Sequence, residues 1–170
     1  MRKLPLLLLL VPLCLLNTAF QKGSLKFTVP AGWIEEERTS SMRIAQYRLP
    51  KAETDTEDAS LVLYYFGPGQ GGSAAANVER WMKQIEGNSG KQDYLETHGL
   101  KVTTVDVSGT YVAETAPGSG TFNNKPGYRL RGAVVETPNG NYFVKLVGPE
   151  KTVERWNESF LGYVKSFEFK

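Results

Sequence analysis

Cysteine is almost absent. Cys14 is the only one among 170 residues, and it sits inside an apolar N-terminal run. Beyond that run the chain has no disulfide, no thiolate metal site and no cysteine nucleophile, so its stability must come from an ordinary core. Histidine is as scarce: His98 stands alone, which leaves a hydrolase built on this chain a single candidate base of that type. Neither sign of charge is in surplus after residue 19. With Arg2 and Lys3 in the leader, 18 basic residues face 18 acidic ones. Proteins that hold nucleic acid draw their affinity from a basic excess that neutralises phosphates, so no nucleic-acid partner is expected. No internal repeat, heptad or long low-complexity tract is present.

What is there begins with MRKLPLLLLLVPLCLLNTAF: two basic residues, an apolar run from Leu4 to Leu16, then small and polar residues to Ala19. The pattern is that of a secretory signal peptide, cleaved after Ala19, and the run is shorter than the roughly 20 apolar residues of a membrane span. Leu13 stands where a lipidated Cys14 would need a small residue. A periplasmic or secreted location follows, with membrane contact only through a leader left uncleaved. Residues 20–170 are one domain's worth of chain.

Along that domain, SLKFTVPAGW alternates Leu25, Phe27 and Val29 with polar residues and predicts a first strand. WIEEERTS and MRIAQYRLP predict two more, and KAETDTEDA an acidic loop. SLVLYYF is apolar from Leu61 to Phe66, as befits a strand covered on both faces. Ser73 is placed to cap a helix marked by Val78, Trp81, Met82 and Ile85 and closed by Gly87. GNSGKQDYLETHG predicts a polar connection with a short helical turn at Tyr94. GLKVTTVDVSGTYVAE is a β-branched strand with Gly109 at a bulge or close approach. YRLRGAVVE and NYFVKLVG flank Pro138-Asn139-Gly140, a hairpin signal. A closing helix starts at Pro149 and carries Val153, Trp156, Phe160, Val164 and Phe167 as one stripe. The fold class is therefore α+β, an antiparallel sheet with helices on its faces.

Gly67, Gly69 and Gly72 spell G-x-G-x-x-G between a strand and a helix. A dinucleotide fingerprint needs a parallel βαβ unit with an acidic residue ending its second strand, and the antiparallel hairpin system here does not supply one. The glycines are expected to shape a turn, and no cofactor is expected. In the acidic loop, Asp55, Glu57 and Asp58 offer oxygen ligands for a hard cation but lack the ordered spacing of a helix-loop-helix calcium site. Arg129 and Arg131, two apart on a strand, share a face and can grip a carboxylate or phosphate. No acid and base are assembled, and Ser119 lacks the setting of an activated nucleophile.

The opening Phe27-x-Val29-Pro30-x-Gly32-Trp33, the order strand, helix, long strand, hairpin, helix, and the aromatic ending from Phe160 to Phe169 together resemble the PsbP-like family. That resemblance spans nearly the whole chain after the leader. It implies an α/β/α sandwich and the roles of binding or assembly factors: lumenal subunits that help photosystem II retain its ions, a nuclear relative that binds a small GTPase, and bacterial envelope proteins. No catalytic motif carries over. The expectation is a non-enzymatic binding or assembly module for an envelope protein or a small ligand, with Gly69, Gln70, Gly72, His98, Arg129 and Arg131 at its surface, since function concentrates on loops held by a scaffold. The alternative is a metal-dependent envelope enzyme or a cation or ligand carrier, using His98 or the loop at Asp55, Glu57 and Asp58.

Overall fold

Leu61 to Leu63 are buried on both faces of an interior strand that ends at Tyr65, while Phe66, expected in the same run, lies beyond the strand and is exposed. The computed structural model describes residues 23–87 and 90–170; the expected leader and cleavage after Ala19 lie outside them. The chain forms β1 (Leu25–Lys26), β2 (Ile34–Glu35), β3 (Arg43–Leu49), β4 (Ala59–Tyr65), α1 (Ala74–Met82), β5 (Ile85–Glu86), β6 (Lys91–Thr97), β7 (Leu100–Tyr111), β8 (Lys125–Thr137), β9 (Gly140–Pro149), α2 (Glu150–Arg155), α3 (Asn157–Lys165) and β10 (Glu168–Phe169). Eight strands make one antiparallel sheet in the order β2-β3-β4-β9-β8-β7, with β5 and β6 both pairing along β7; β1 and β10 form a separate pair. Among the described residues no helix is long and apolar enough to cross a membrane.

Alternation along the strands builds two cores. On one face Leu61, Leu63, Val102, Ala133, Val135, Val144 and Leu146 pack under α2 and α3 through Val153, Phe160, Tyr163 and Val164. On the other, Val105, Val107, Leu130, Val134 and Phe143 pack under α1 through Val78 and Trp81. This is the α+β architecture expected, with helices on both faces. The Ser73 side chain accepts the first-turn N–H of Ala76 at 3.2 Å, as its position promised. The Asn139–Gly140 hairpin is present, with Thr137 opposite Gly140. Gly109 marks a register shift, and a Cβ there would stand 2.1 Å from the Glu86 carbonyl oxygen.

Four other local expectations are corrected. Only Leu25–Lys26 of the opening segment is strand; Thr28 N–H donates to Ser166 Oγ, Phe27 packs edge-on against Tyr163, and Val29 is exposed. The first helix ends at Met82, because Ile85 turns away to pair with Tyr111. The closing helix is two helices meeting at Trp156, whose backbone leaves the helical region and whose indole N–H donates to the Pro50 carbonyl at 2.8 Å. Its aromatic tail after Lys165 is strand β10. Finally, Lys91–Thr97 is a strand and has no helical turn at Tyr94. It is an edge strand, and its polar residues are those that keep an edge from pairing with another chain.

Candidate functional site

The glycine loop leads from β4 to α1 across the ring of Phe143. Gly67, Gly69, Gly71 and Gly72 all take positive φ, a backbone glycine adopts without steric cost. Gly71 also needs its missing side chain: a Cβ would stand 2.6 Å from Phe143 and 2.8 Å from Phe66. The Gly71 carbonyl accepts from Asn77 Nδ2 at 2.8 Å, and the Gly72 carbonyl accepts from Asn141 Nδ2 at 3.2 Å. Gly69 and Gln70 are exposed at the tip of the loop. The loop is thus a tight lead-in that seats α1 against the sheet.

Beside it, between α1 and the sheet, opens a cleft of about 260 Å³. Its walls are Tyr64, Phe66, Trp81 and Phe143; Pro117, from the loop between β7 and β8, closes one side. Tyr64 and Phe66 lie parallel with ring centroids 6.0 Å apart, and Phe66 meets Phe143 edge-on at 5.6 Å. The polar end is Arg80, Gln84 and Lys145. Lys145 arises from the alternation of β9: Tyr142, Val144 and Leu146 face the α2–α3 core, so Phe143 and Lys145 face α1. Its Nζ donates to Gln84 Oε1 at 2.6 Å and lies 3.3 Å from the Tyr111 hydroxyl, above whose ring it sits at 5.2 Å. Burial, reinforced by the nearby charge of Arg80, pushes the Lys145 amine down to about 8. Burial likewise raises the Tyr111 hydroxyl, which stays neutral at pH 7.

The two expected arginines lie on the opposite face. Arg129 makes a bidentate pair with Asp106, 2.7 Å at each nitrogen, and a second ion pair with Glu154 of α2. Arg131 is 7% exposed, 3.6 Å from the same Asp106 carboxylate, and lies over the Phe160 ring at 5.1 Å. Arg129 is committed to protein partners, whereas the buried Arg131 Nε makes no hydrogen bond and has only the 3.6 Å ion contact to Asp106.

The acidic loop does not converge. Asp55 Oδ2 accepts from Thr152 N–H at 2.7 Å and Thr152 Oγ at 2.6 Å, Glu57 pairs with Lys125, and Asp58 pairs with Arg48 and accepts from the Lys51 N–H. Among the described residues no three His, Cys, Asp or Glu side chains gather as metal ligands. The role of Asp55 is structural. Pro149 at the start of α2 has no capping side chain, and Asp55 supplies the missing oxygen from across the fold. Thr152 is fully buried, so Asp55→Ala is expected to destabilise the protein by about 2 kcal/mol, the range for a lost cap and an orphaned buried donor. Urea unfolding with and without added calcium checks this; a loss that appears only when calcium is present would restore the loop as a cation site.

His98 and Gly99 form the two-residue turn between β6 and β7, with φ of 47° and 75°. The exposed imidazole has Nδ1 at 3.0 Å from the Phe167 carbonyl, on the α2–α3 side. The structure therefore separates the expected site residues: Gly69, Gln70 and Gly72 belong to the loop whose Gly71 packs on Phe66 and Phe143 of the cleft, whereas His98, Arg129 and Arg131 belong to the α2–α3 side. A wider groove of about 550 Å³ is lined by Tyr94, Glu96, Lys101 and Glu136, with two carboxylates against one lysine.

No family model and no curated protein matches the chain. Among solved structures, LpqN of Mycobacterium tuberculosis, described as involved in cell envelope biogenesis, aligns with a TM-score of 0.58 at 9% identity, over 87% of this chain and 84% of that one. PA94 of Pseudomonas aeruginosa, described as a protein of unknown function and putative regulator, gives 0.46 at 16% identity, over 88% and 85%. What LpqN shares with this chain is the fold. The PsbP-like resemblance has no family match behind it, so a related α+β architecture is what stands.

Proposed function

We propose that the protein is an envelope binding module with no chemistry of its own, and that the cleft under α1 holds its ligand. The observation that carries this reading is the cleft itself: aromatic on its walls, polar at one end, and built from rigid elements, as small-molecule sites are. The glycine loop, whose Gly71 packs on the cleft residues Phe66 and Phe143, carries the exposed Gly69, Gln70 and Gly72 that this reading offers to a ligand. Placement in the envelope is supported by the leader pattern and by the fold shared with LpqN, itself described as an envelope-biogenesis protein.

The test is an amide NMR titration of the protein, expressed as the full chain with its leader and purified after export, against ring-sized compounds both neutral and charged. The expected result is a set of shifts confined to Gly71, the Trp81 indole and Gln84. Compounds that bind elsewhere, or nowhere, overturn the reading.

A further inference from the structure

Lys145 differs from Arg129, Arg131 and Lys125 in having no counter-charge among the described residues. Arg129 and Arg131 share Asp106, and Lys125 has Glu57. Among the described residues no carboxylate lies within 4.0 Å of Lys145, and none within that distance of Arg80. Gln84 and Tyr111 give the Lys145 ammonium neutral oxygens only, and Arg80 donates to Asn77 Oδ1, another neutral oxygen. Lys145 is partly buried with the charge of the exposed Arg80 at the mouth beside it, an arrangement a negative group between the two would favour. The raised hydroxyl of Tyr111 does not supply that charge at pH 7.

The rest of the cleft limits what the negative group can be attached to. The wall opposite the cations is apolar and aromatic: Tyr64, Phe66, Trp81 and Phe143. A bare inorganic anion would leave that wall wet, and an open volume of about 260 Å³ is below the usual range for drug-sized ligands. It is enough for one ring and a short chain. Resting on the reading of the cleft as a binding site, we propose that its ligand is a small organic anion, with an oxyanion head at Lys145 and Arg80 and a ring-sized apolar body against Phe66 and Trp81. The shared chemistry is that of a carboxylate or a phosphate monoester. The head restores charge balance and the body removes aromatic surface from water, so each part acts where the protein lacks a partner.

The experiment measures affinities by calorimetry for 3-phenylpropionate, phenyl phosphate, 3-phenylpropanol, acetate and inorganic phosphate, on the wild-type protein and on Lys145→Met. Methionine keeps much of the length and removes the charge, and because it also removes an uncompensated buried cation the variant is expected to unfold no earlier than wild type. At least one of 3-phenylpropionate and phenyl phosphate is expected to bind ten-fold or more tighter than 3-phenylpropanol, and to lose that advantage in Lys145→Met while 3-phenylpropanol is unaffected. Which of the two wins separates carboxylate from phosphate. Acetate and inorganic phosphate are expected to bind far more weakly than their ring-bearing counterparts.

Equal binding of 3-phenylpropanol and both anions at the cleft overturns the anionic ligand and leaves the binding module standing. Inorganic phosphate binding as tightly as phenyl phosphate overturns the apolar body, and an anion preference that survives Lys145→Met overturns the assigned head site. If no probe binds, the proposal and the reading beneath it both fall.

Discussion

Asp106→Ala is expected to cost about 3 kcal/mol of stability, read by urea unfolding at pH 7, because it leaves one buried and one partly buried guanidinium without their shared carboxylate. Removing one partner of a buried pair is far more costly than replacing the whole pair. Arg131 depends on it more than Arg129 does: Arg129 keeps Glu154, whereas Arg131 has only the 3.6 Å contact to Asp106 and its place over Phe160. A double variant, Asp106→Ala with Arg131→Met, should therefore recover most of the loss. If the double variant is no better than the single one, the cluster is not held by charge. Acid gives a second check. Burial acts to raise the Asp106 carboxyl, but the Arg129 hydrogen bonds and both guanidinium charges outweigh it and hold it below the usual carboxylate range. A depressed carboxyl contributes stability that is complete above its unfolded value, about 3.9, and is lost as pH falls through the folded one. The gap between wild type and Asp106→Ala should hold from neutrality to about pH 5 and close below pH 4.

Trp81→Ala is expected to cost about 3–5 kcal/mol, the range for removing a large buried aromatic, and to lower the melting temperature by roughly 10 °C in a domain of this size. Trp81 is 4% exposed and lies over Gly132 of β8, where a Cβ would stand 2.5 Å from the indole ring. The glycine is a socket for the ring, so Gly132→Ala should destabilise as well, by overpacking. In Trp81→Ala the extra methyl of Gly132→Ala should cost less, since the indole clash is gone and only the 2.8 Å approach to Val105 Cγ1 remains; a double-mutant cycle measures that coupling. Additivity would show that the indole does not rest on Gly132. Trp81 is also a wall of the cleft, so the same variant should weaken every ring-bearing ligand, neutral or charged.

Strong local signals were legible in the sequence. Asn139-Gly140 permits the tight hairpin by its backbone alone, Ser73 caps the helix it precedes, and a run apolar at every position from Leu61 to Phe66 marked an interior strand, though one that ends at Tyr65. Weak or distant ones were not. Strand β6 carries no apolar alternation because it is an edge whose side chains are mostly exposed, so Lys91-Gln92-Asp93 looks like loop. The break at Trp156 follows from where its indole finds Pro50, more than 100 residues earlier. Asp55 resembles a solvated or metal-binding carboxylate until Thr152 is brought to it. Lys145 is the sharpest case: in Tyr142-Phe143-Val144-Lys145-Leu146-Val147 a lone lysine carries no signal of function. The one hint was its position, since a charge midway through a strand apolar on both faces has to point at something. What it points at is set by α1 and β7, which no local pattern foretells.

The pairing of β1 with β10 joins Leu25 to Phe169 and Lys26 to Glu168, segments about 140 residues apart, and the backbone of Ser24 is bonded in both directions to Lys170. A chain delivered from its N-terminus must leave Leu25 and Phe27 uncovered until the closing helices and the last strand arrive, because their partners in the α2–α3 core do not yet exist. Closure of this core thus depends on a pairing between segments far apart in the chain. A polypeptide that lacks β10 leaves the Leu25–Lys26 strand unpaired, so the stable form waits on contacts that close a loop of about 140 residues.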